Sequence, residues 1–479
     1  MYTSHGESDY NSSCSSITTH DSGHRSISDV SFGSSSSLST CSYGESSITS
    51  CSHRPHKAHH PAWEAIRSVR SENGHIGLHH FQLLRRLGSG DIGNVYLCRL
   101  KNPTLRPSGC MYAMKVVDRE ALIIRKKLRR AEMEKEILGM LDHPFLPTLY
   151  AHFDASHYSC LVMEFCSGGD LHTVRQRQPH KRFNVSSVKF YAAEILLALE
   201  YLHMMGVIYR DLKPENVLLR EDGHIMLTDF DLSLKCDVVP KLVKTRPDFG
   251  ITTANNMKKR STASCVPPMQ PVLSCFSTSK DAARSHEKTP TMTTTSMKIE
   301  LQELNPELVA EPIDAQARSF VGTHEYLAPE VIVGSGHGSA VDWWTFGLLL
   351  FELVYGRTPF KGQTNDKTLM NIMKKPLNFP WIETSSSRDL EELVKIQDLI
   401  KRLLVKNPKR RIGSLMGSVE IKRHEFFKGV NWALIRTVRP PEVPKDIEKV
   451  RKRAVGTTTE LYKKDNDATY HIPQHFAYF

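Results

Sequence analysis

No run of apolar residues approaches the ~18 needed to cross a bilayer as a helix, and no charged-then-apolar leader opens the chain. The ten cysteines form no C-x-x-C pair and no metal-ligand spacing. These absences argue against a helical membrane protein, a disulfide scaffold and a zinc module. They predict reduced thiols and a cytoplasmic location. No base-reading signature accompanies the net charge of +11, so nucleic acid is not an expected partner. The basic excess suits phosphates or an anionic membrane surface, or simply a solvated face.

Apolar patterning is also missing from the first residues, and serine takes its place. Residues 1–60 contain 20 Ser and no periodic apolar stripe. Such a segment cannot bury enough surface to offset chain entropy, so a disordered arm is predicted over 1–75. Composition becomes ordinary near His80. The stretch 81–427 is long enough for two lobes sharing a cleft. A second polar stretch, about 236–313, carries Thr and Ser tracts such as "TPTMTTTSMK" and reads as a disordered surface insertion.

What is present points to phosphate chemistry. In "LLRRLGSGDIGNVYLCRL", Gly88, Gly90 and Gly93 make G-x-G-x-x-G, with Val95 two residues on. The motif alone also fits a dinucleotide-binding turn, but "VYLCRL" favours a strand where that turn would enter a helix. Glycines between two strands let backbone N–H groups approach phosphates. In "YAMKVVD", Lys115 lies in an apolar strand, where an unpaired ammonium is costly. It fits a grip on α- and β-phosphates, with an acid on a nearby helix as partner. Glu134 in "RRAEMEKEIL" supplies that acid, whereas Glu132 and Glu136 read as solvated.

"VIYRDLKPENVLL" carries the most specific pattern. It matches H-R-D-L-x-x-x-N with Tyr209 in place of His, and "LTDFDLSL" follows. Phosphoryl transfer needs positioning and charge neutralisation more than covalent chemistry. On that template Asp211 orients the acceptor hydroxyl, Lys213 neutralises the γ-phosphate, and Asn216 and Asp229 hold Mg²⁺.

With these motifs the chain resembles the eukaryotic protein kinases over 81–427, and "DLKPEN" the Ser/Thr-specific ones. "VDWWTFGLLLFEL" and "RHEFFKGVNW" resemble the AGC group. "TDFDLSL" with a long insert before "SFVGTHEYLAPE" resembles its plant group VIII, which includes PINOID-like auxin-transport kinases. The resemblance implies an α+β, bilobal kinase fold. It has a small β-rich N-lobe, a large helical C-lobe, a long disordered insert in the activation segment and a C-terminal tail over 428–479. It also implies ATP and Mg²⁺ as cofactors and adds Ala113 and Glu164 to the nucleotide site. Ser319 falls at the activating phosphosite, where phosphate would pair with Arg210. Thr323 joins Lys213 around the substrate hydroxyl. Asp170, Glu215 and Glu352 match positions that read basic residues in Ser/Thr protein substrates. Glu330 is expected to pair with Arg411, and Asp342 to cap the catalytic-loop backbone. Phe476 and Phe479 form the F-x-x-F end that docks on the small lobe and recruits an upstream phosphoinositide-dependent kinase.

The resemblance further implies auxin efflux carriers as substrates, peripheral plasma-membrane association, and contact of the insert with anionic lipids. One departure stands out. Where the family has Gly after Asp-Phe, this chain has Asp231. The metal ligand is the side chain of Asp229, and Asp tolerates unusual φ, so activity is expected to survive. Two readings of different class remain: an active Ser/Thr kinase, and a weakly catalytic nucleotide-binding scaffold at the membrane.

Overall fold

The computed structural model describes Lys57, residues 60–101, 110–238, 240–244, 306–312, Ala315, Ala317, Ser319 and 321–443. The expected disorder of the Ser-rich arm before Lys57, most of the insert, and the tail motif with Phe476 and Phe479 lie outside the described residues.

The chain first forms helix α1 (Pro61–Asn73). Pro61 occupies its first turn, His60 Nδ1 accepts from Ala62 N, and Gly74 at φ 74° ends it. Strands β1 (Phe81–Ser89), β2 (Asn94–Leu100) and β3 (Met111–Asp118) follow. Helices α2 (Arg119–Ile124) and α3 (Leu128–Met140), then strands β4 (Leu149–Ala155) and β5 (Tyr158–Glu164), complete a small lobe. Its antiparallel sheet runs in the order β1-β2-β3-β5-β4. Asp118 caps α2 by accepting from Ala121 N at 2.9 Å, which turns the chain from β3 into the helices. The sequence-based boundary of the arm at residue 75 is too late. Trp63, Ile66 and Val69, three residues apart, are buried, and Trp63 meets Tyr150 edge-on at 5.2 Å. Tyr112 Oη donates to Ala62 O at 3.0 Å.

The large lobe contains α4 (Leu171–Gln176), α5 (Val185–Met204), β6 (Val207–Ile208), β7 (Val217–Leu219), β8 (Ile225–Leu227) and β9 (Leu234–Lys235). After the two-stranded ribbon β10 (Lys241–Lys244) and β11 (Pro306–Val309) come α6 (Pro329–Val333), α7 (Ala340–Tyr355), α8 (Asn365–Lys374), α9 (Ser387–Leu403) and α10 (Ser418–Lys422). Helix α7 is buried along nearly its whole length, from Val341 to Val354, and the lobe packs around it. Short pairs β7–β8 and β6–β9 hold the catalytic loop between them. The insert, expected to be irregular from 236 to 313, has ordered shoulders: β10 and β11 pair antiparallel, with Lys241 opposite Val309. Among the described residues no helix is long and apolar enough to cross a membrane.

The expected Glu330–Arg411 pair is present and bidentate, at 2.6 and 2.9 Å, and both side chains are buried. Removing one partner leaves a buried charge uncompensated. Arg411→Ala is therefore expected to cost about 3–5 kcal/mol of stability, and Arg411→Met with Glu330→Leu much less. Denaturant unfolding of the three proteins measures the difference.

Candidate active site

The cleft is assembled from both lobes. β3 carries Lys115 into it, opposite Val95 on β2 and Leu161 on β5. Ala113, two residues earlier on the same face, and half-buried Val95 line its roof. The glycine turn between β1 and β2 divides its labour. A Cβ at Gly88 would meet nothing within 4 Å, and one at Gly90 only Gly93 O at 3.7 Å. At Gly93 a Cβ would lie 2.6 Å from Val116 O, so this glycine serves packing on β3.

Lys115 Nζ donates to Glu134 Oε1 at 2.7 Å and to Asp229 Oδ1 at 3.2 Å. Burial would drive the ammonium to lose its proton, but Glu134 and Asp229 outweigh it and raise the lysine pKa. The expected helix acid is thus the one chosen. Glu136 instead reaches Lys235 at the surface at 2.5 Å. Phe230 is fully buried, meets Tyr209 at 5.3 Å, and presents its backbone N–H to Glu134.

Below the cleft, Asp342 organises the catalytic loop as expected. Its carboxylate accepts Tyr209 N at 2.8 Å and Arg210 N at 2.7 Å. Arg210 takes φ 69°, a cost that this capping offsets. Asp211 Oδ2 receives Lys213 Nζ at 2.7 Å and Asn216 Nδ2 at 2.8 Å. Burial pushes the Asp211 carboxyl above the usual carboxylate range, although Lys213 and Asn216 pull the other way. Lys213 Nζ also reaches Thr323 Oγ1 at 3.1 Å, so Asp211, Lys213 and Thr323 form one cluster. Asn216 spends its amide nitrogen on Asp211, which makes its side-chain Oδ1 the candidate cation ligand. The Asp229 side chain is 35 % exposed towards the cleft. These oxygen donors suit Mg²⁺, with phosphates and water as the remaining ligands. Among the described residues no cluster of three or more His, Cys, Asp or Glu forms an all-protein metal cage.

The third residue of Asp-Phe-Asp behaves differently from expectation. The left-handed backbone falls on Asp229, φ 61°, and not on Asp231, so a glycine is not required there. Asp231 is buried. Burial first, then the Asp229 carboxylate, raises its pKa to about 7.

The activation segment places Ser319 against the catalytic loop. Arg210 Nη1 donates to exposed Ser319 Oγ at 2.7 Å while its Nε holds Leu232 O at 2.6 Å. The three acids expected to read substrate differ in availability. Glu215 is half exposed, with His172 at 3.1 Å. Asp170 caps α4 through Thr173 N and Oγ1, both at 2.7 Å. Glu352 is buried, held by Arg175 at 2.7 Å and Tyr326 Oη at 2.6 Å. Glu164 turns its side chain to Arg220 at 2.8 Å and to Lys57, which together hold its carboxyl down at about 2 despite burial.

Two contacts escaped the motif reading. Lys57, from before α1, reaches the strand that joins the lobes. Asp91, at the tip of the glycine turn, binds Lys127 at 2.6 Å and Arg130 at 3.0 Å near the start of α3, and Ile92 beside it is buried against Val117 and Leu122. Neither shows a local pattern.

The family model described as "Protein kinase domain" matches residues 81–246 and 307–427. The chain is 56% identical over 493 aligned positions to Protein kinase PINOID 2 of Oryza sativa subsp. japonica, covering 99% of each chain. It is 53% identical to Protein kinase PINOID 2 of Arabidopsis thaliana, covering 89% of each. It is 50% identical to a serine/threonine-protein kinase of Arabidopsis thaliana, covering 89% of this chain and 81% of the relative.

Because the left-handed residue is Asp229, Asp231→Gly is expected to change phosphotransfer turnover by less than about fivefold, whereas Asp229→Ala should lower it by ~10³-fold or more. Mg²⁺-dependent transfer of labelled phosphate to a peptide compares them. An inactive parent beside an active Asp231→Gly protein would overturn this account.

Proposed function

We infer that this chain, which belongs to the protein kinase family and within it to the plant PINOID-like AGC kinases, phosphorylates Ser/Thr hydroxyls in basic-context proteins, with auxin efflux carriers as the physiological class. It is a protein serine/threonine kinase by that membership. The observation that supports the specific mechanism best is the convergence of Lys115, Asp229, Asp211, Lys213 and Thr323 on one cleft.

In this mechanism Lys115, fixed by Glu134, grips the α- and β-phosphates of ATP under the glycine turn of Gly88, Gly90 and Gly93. Asp229 and Asn216 would hold Mg²⁺, which would supply charge neutralisation to the phosphates. Asp211 accepts a hydrogen bond from the substrate hydroxyl and aims its oxygen at the γ-phosphorus. Lys213 stabilises the phosphate in flight, and Thr323 shares its ammonium with Asp211, setting the hydroxyl's place. Ala113 and Val95 cover the adenine, and Glu164 fixes the lobe-joining strand beside it. The gathering of Lys115, Asp211, Lys213, Asn216 and Asp229 in one cleft favours this reading over a weakly catalytic scaffold. The Phe476/Phe479 motif, as a dock for an upstream phosphoinositide-dependent kinase, and lipid contact by the insert, which would bring the protein to the plasma membrane, complete the proposal. The basic excess of the chain, +11, is consistent with the latter.

Arg210 stands ready for a phosphate on Ser319, since a dianion beside its guanidinium would form charge-assisted bonds where a neutral hydroxyl now sits. Ser319→Ala is expected to lower turnover about tenfold or more relative to the Ser319-phosphorylated protein. Steady-state assays with mass-spectrometric occupancy check this, and equal turnover in both forms would remove the switch.

Substrate choice falls mainly on Glu215, the most exposed of the three acids. Glu215→Gln is expected to raise the KM of a peptide with an upstream Arg by about tenfold while leaving a peptide without that Arg unchanged. The decisive experiment for the proposal is transfer of label from ATP to the cytosolic loops of auxin efflux carriers, compared with an acidic-context control peptide. Absence of labelling in the loops by the activated protein would overturn the substrate assignment.

A further inference from the structure

One buried carboxylate connects the end of the insert to the catalytic loop. Strands β10 and β11 bring Lys244 and Pro306 opposite each other. Two residues past β11, Glu311 turns inward with only 5 % of its side chain exposed. Its Oε2 lies 2.8 Å from His203 Nδ1, and His203 Nε2 lies 2.8 Å from Asp342 Oδ2. His203 and Asp342 are fully buried. An imidazole with a carboxylate at each nitrogen satisfies both only by donating twice, as imidazolium. Asp342 is the residue that accepts the N–H groups of Tyr209 and Arg210, immediately before Asp211.

The seat for Glu311 is specific. A Cβ on Gly417, which has φ 59°, would lie 1.9 Å from Glu311 Oε1, so the carboxylate rests where a side chain is absent. Ser418 N donates to the same oxygen at 3.3 Å. Beside this seat, Glu200 of α5 accepts from Ser418 Oγ at 2.7 Å and pairs with Lys422 of α10. The charged and titratable groups facing His203 are Glu311 from the insert shoulder and Asp342 from α7, with Arg210, His337 and Cys236 facing Asp342 from the catalytic loop and the activation segment. The Trp343 ring closes the remaining side, edge-on at 4.8 Å.

We propose that Glu311 is a positioning residue for phosphoryl transfer: seated on Gly417, it holds His203 as the doubly donating cation that keeps Asp342 on the catalytic-loop backbone, so that the paired ends of the insert set the geometry of Asp211. The inference deepens the kinase reading and takes its activity readout from it. Burial opposes the charge on His203, but Glu311 and Asp342 outweigh it and raise the pKa to about 10. The working form is the protonated one. A histidine raised above its unfolded value contributes stability fully below the unfolded pKa and loses it as pH rises through the folded one. Removing the charge of Glu311 therefore moves that loss to lower pH, and the defect appears on the alkaline side.

The test uses the full chain, ATP with Mg²⁺ and a basic Ser peptide, with kcat and KM measured from pH 6.5 to 9.5. The wild type is expected to hold its kcat to about pH 9. Glu311→Gln should lose kcat progressively above about pH 7.5, by roughly tenfold at pH 9, with the KM for ATP within about twofold. Gly417→Ala keeps the acid but evicts it from its seat, and should reproduce the alkaline loss. Adding His203→Gln to Glu311→Gln should flatten the profile at a lowered kcat. The unfolding midpoint against pH is a second readout, independent of catalysis, and should fall at lower pH in Glu311→Gln than in wild type. Profiles and midpoints of Glu311→Gln and Gly417→Ala that parallel the wild type at every pH would overturn the proposal. A wild type that labels no peptide would instead defeat the kinase reading, and the midpoint shift alone would then decide the role of Glu311.

Discussion

A buried ammonium cannot stand alone, and that constraint organises the cleft. Lys115 Nζ sits where water barely reaches, so carboxylates must come to it from elsewhere in the chain. One comes from α3 of the small lobe, as Glu134, and the other from the large lobe, as Asp229. The three groups tie the orientation of a helix, the sheet and the metal-binding loop to a single point. When α3 moves, the lysine loses a partner and the site loses its grip on phosphate.

A second charge cluster does for the large lobe what Lys115 does for the cleft. Asp342, on the almost wholly buried α7, converts the rigidity of that helix into the placement of two backbone N–H groups. The left-handed Arg210 is affordable only because those bonds over-determine it. From Arg210 the order passes outwards to Ser319 and inwards to Asp211, so that activation segment and catalytic base share one foundation.

The parts of this arrangement that sequence reading reached are those whose motifs are compact. Lys115 in an apolar strand, Glu134 on an apolar-faced helix, and the run from Arg210 to Asn216 each announce their chemistry within a few residues. The distant pairs Glu330–Arg411 and Arg210–Ser319 were reached through family resemblance, and geometry joins them. Glu311, Lys57 and Asp91 stayed hidden because each is a lone charge whose partner lies far along the chain, and no local spacing encodes such a contact. Helix α1 was lost for a different reason: its four buried apolar residues, Ala62, Trp63, Ile66 and Val69, border a serine-rich arm and are too few to register as a stripe. At Asp231 the sequence suggests an unusual φ, whereas the left-handed backbone belongs to Asp229, two residues earlier.

The β10–β11 ribbon carries a lesson for engineering. Closing a loop is costly mainly at the point where its ends meet, and lengthening it thereafter costs only slowly with size. Here the ends already meet on adjacent strands, at a spacing of about 5 Å. The material between Lys244 and Pro306 can therefore grow, shrink or be exchanged for a reporter domain without transmitting tension to the lobes. Evolution and protein designers alike have, at this place, a ready-made splice point in the middle of a catalytic domain.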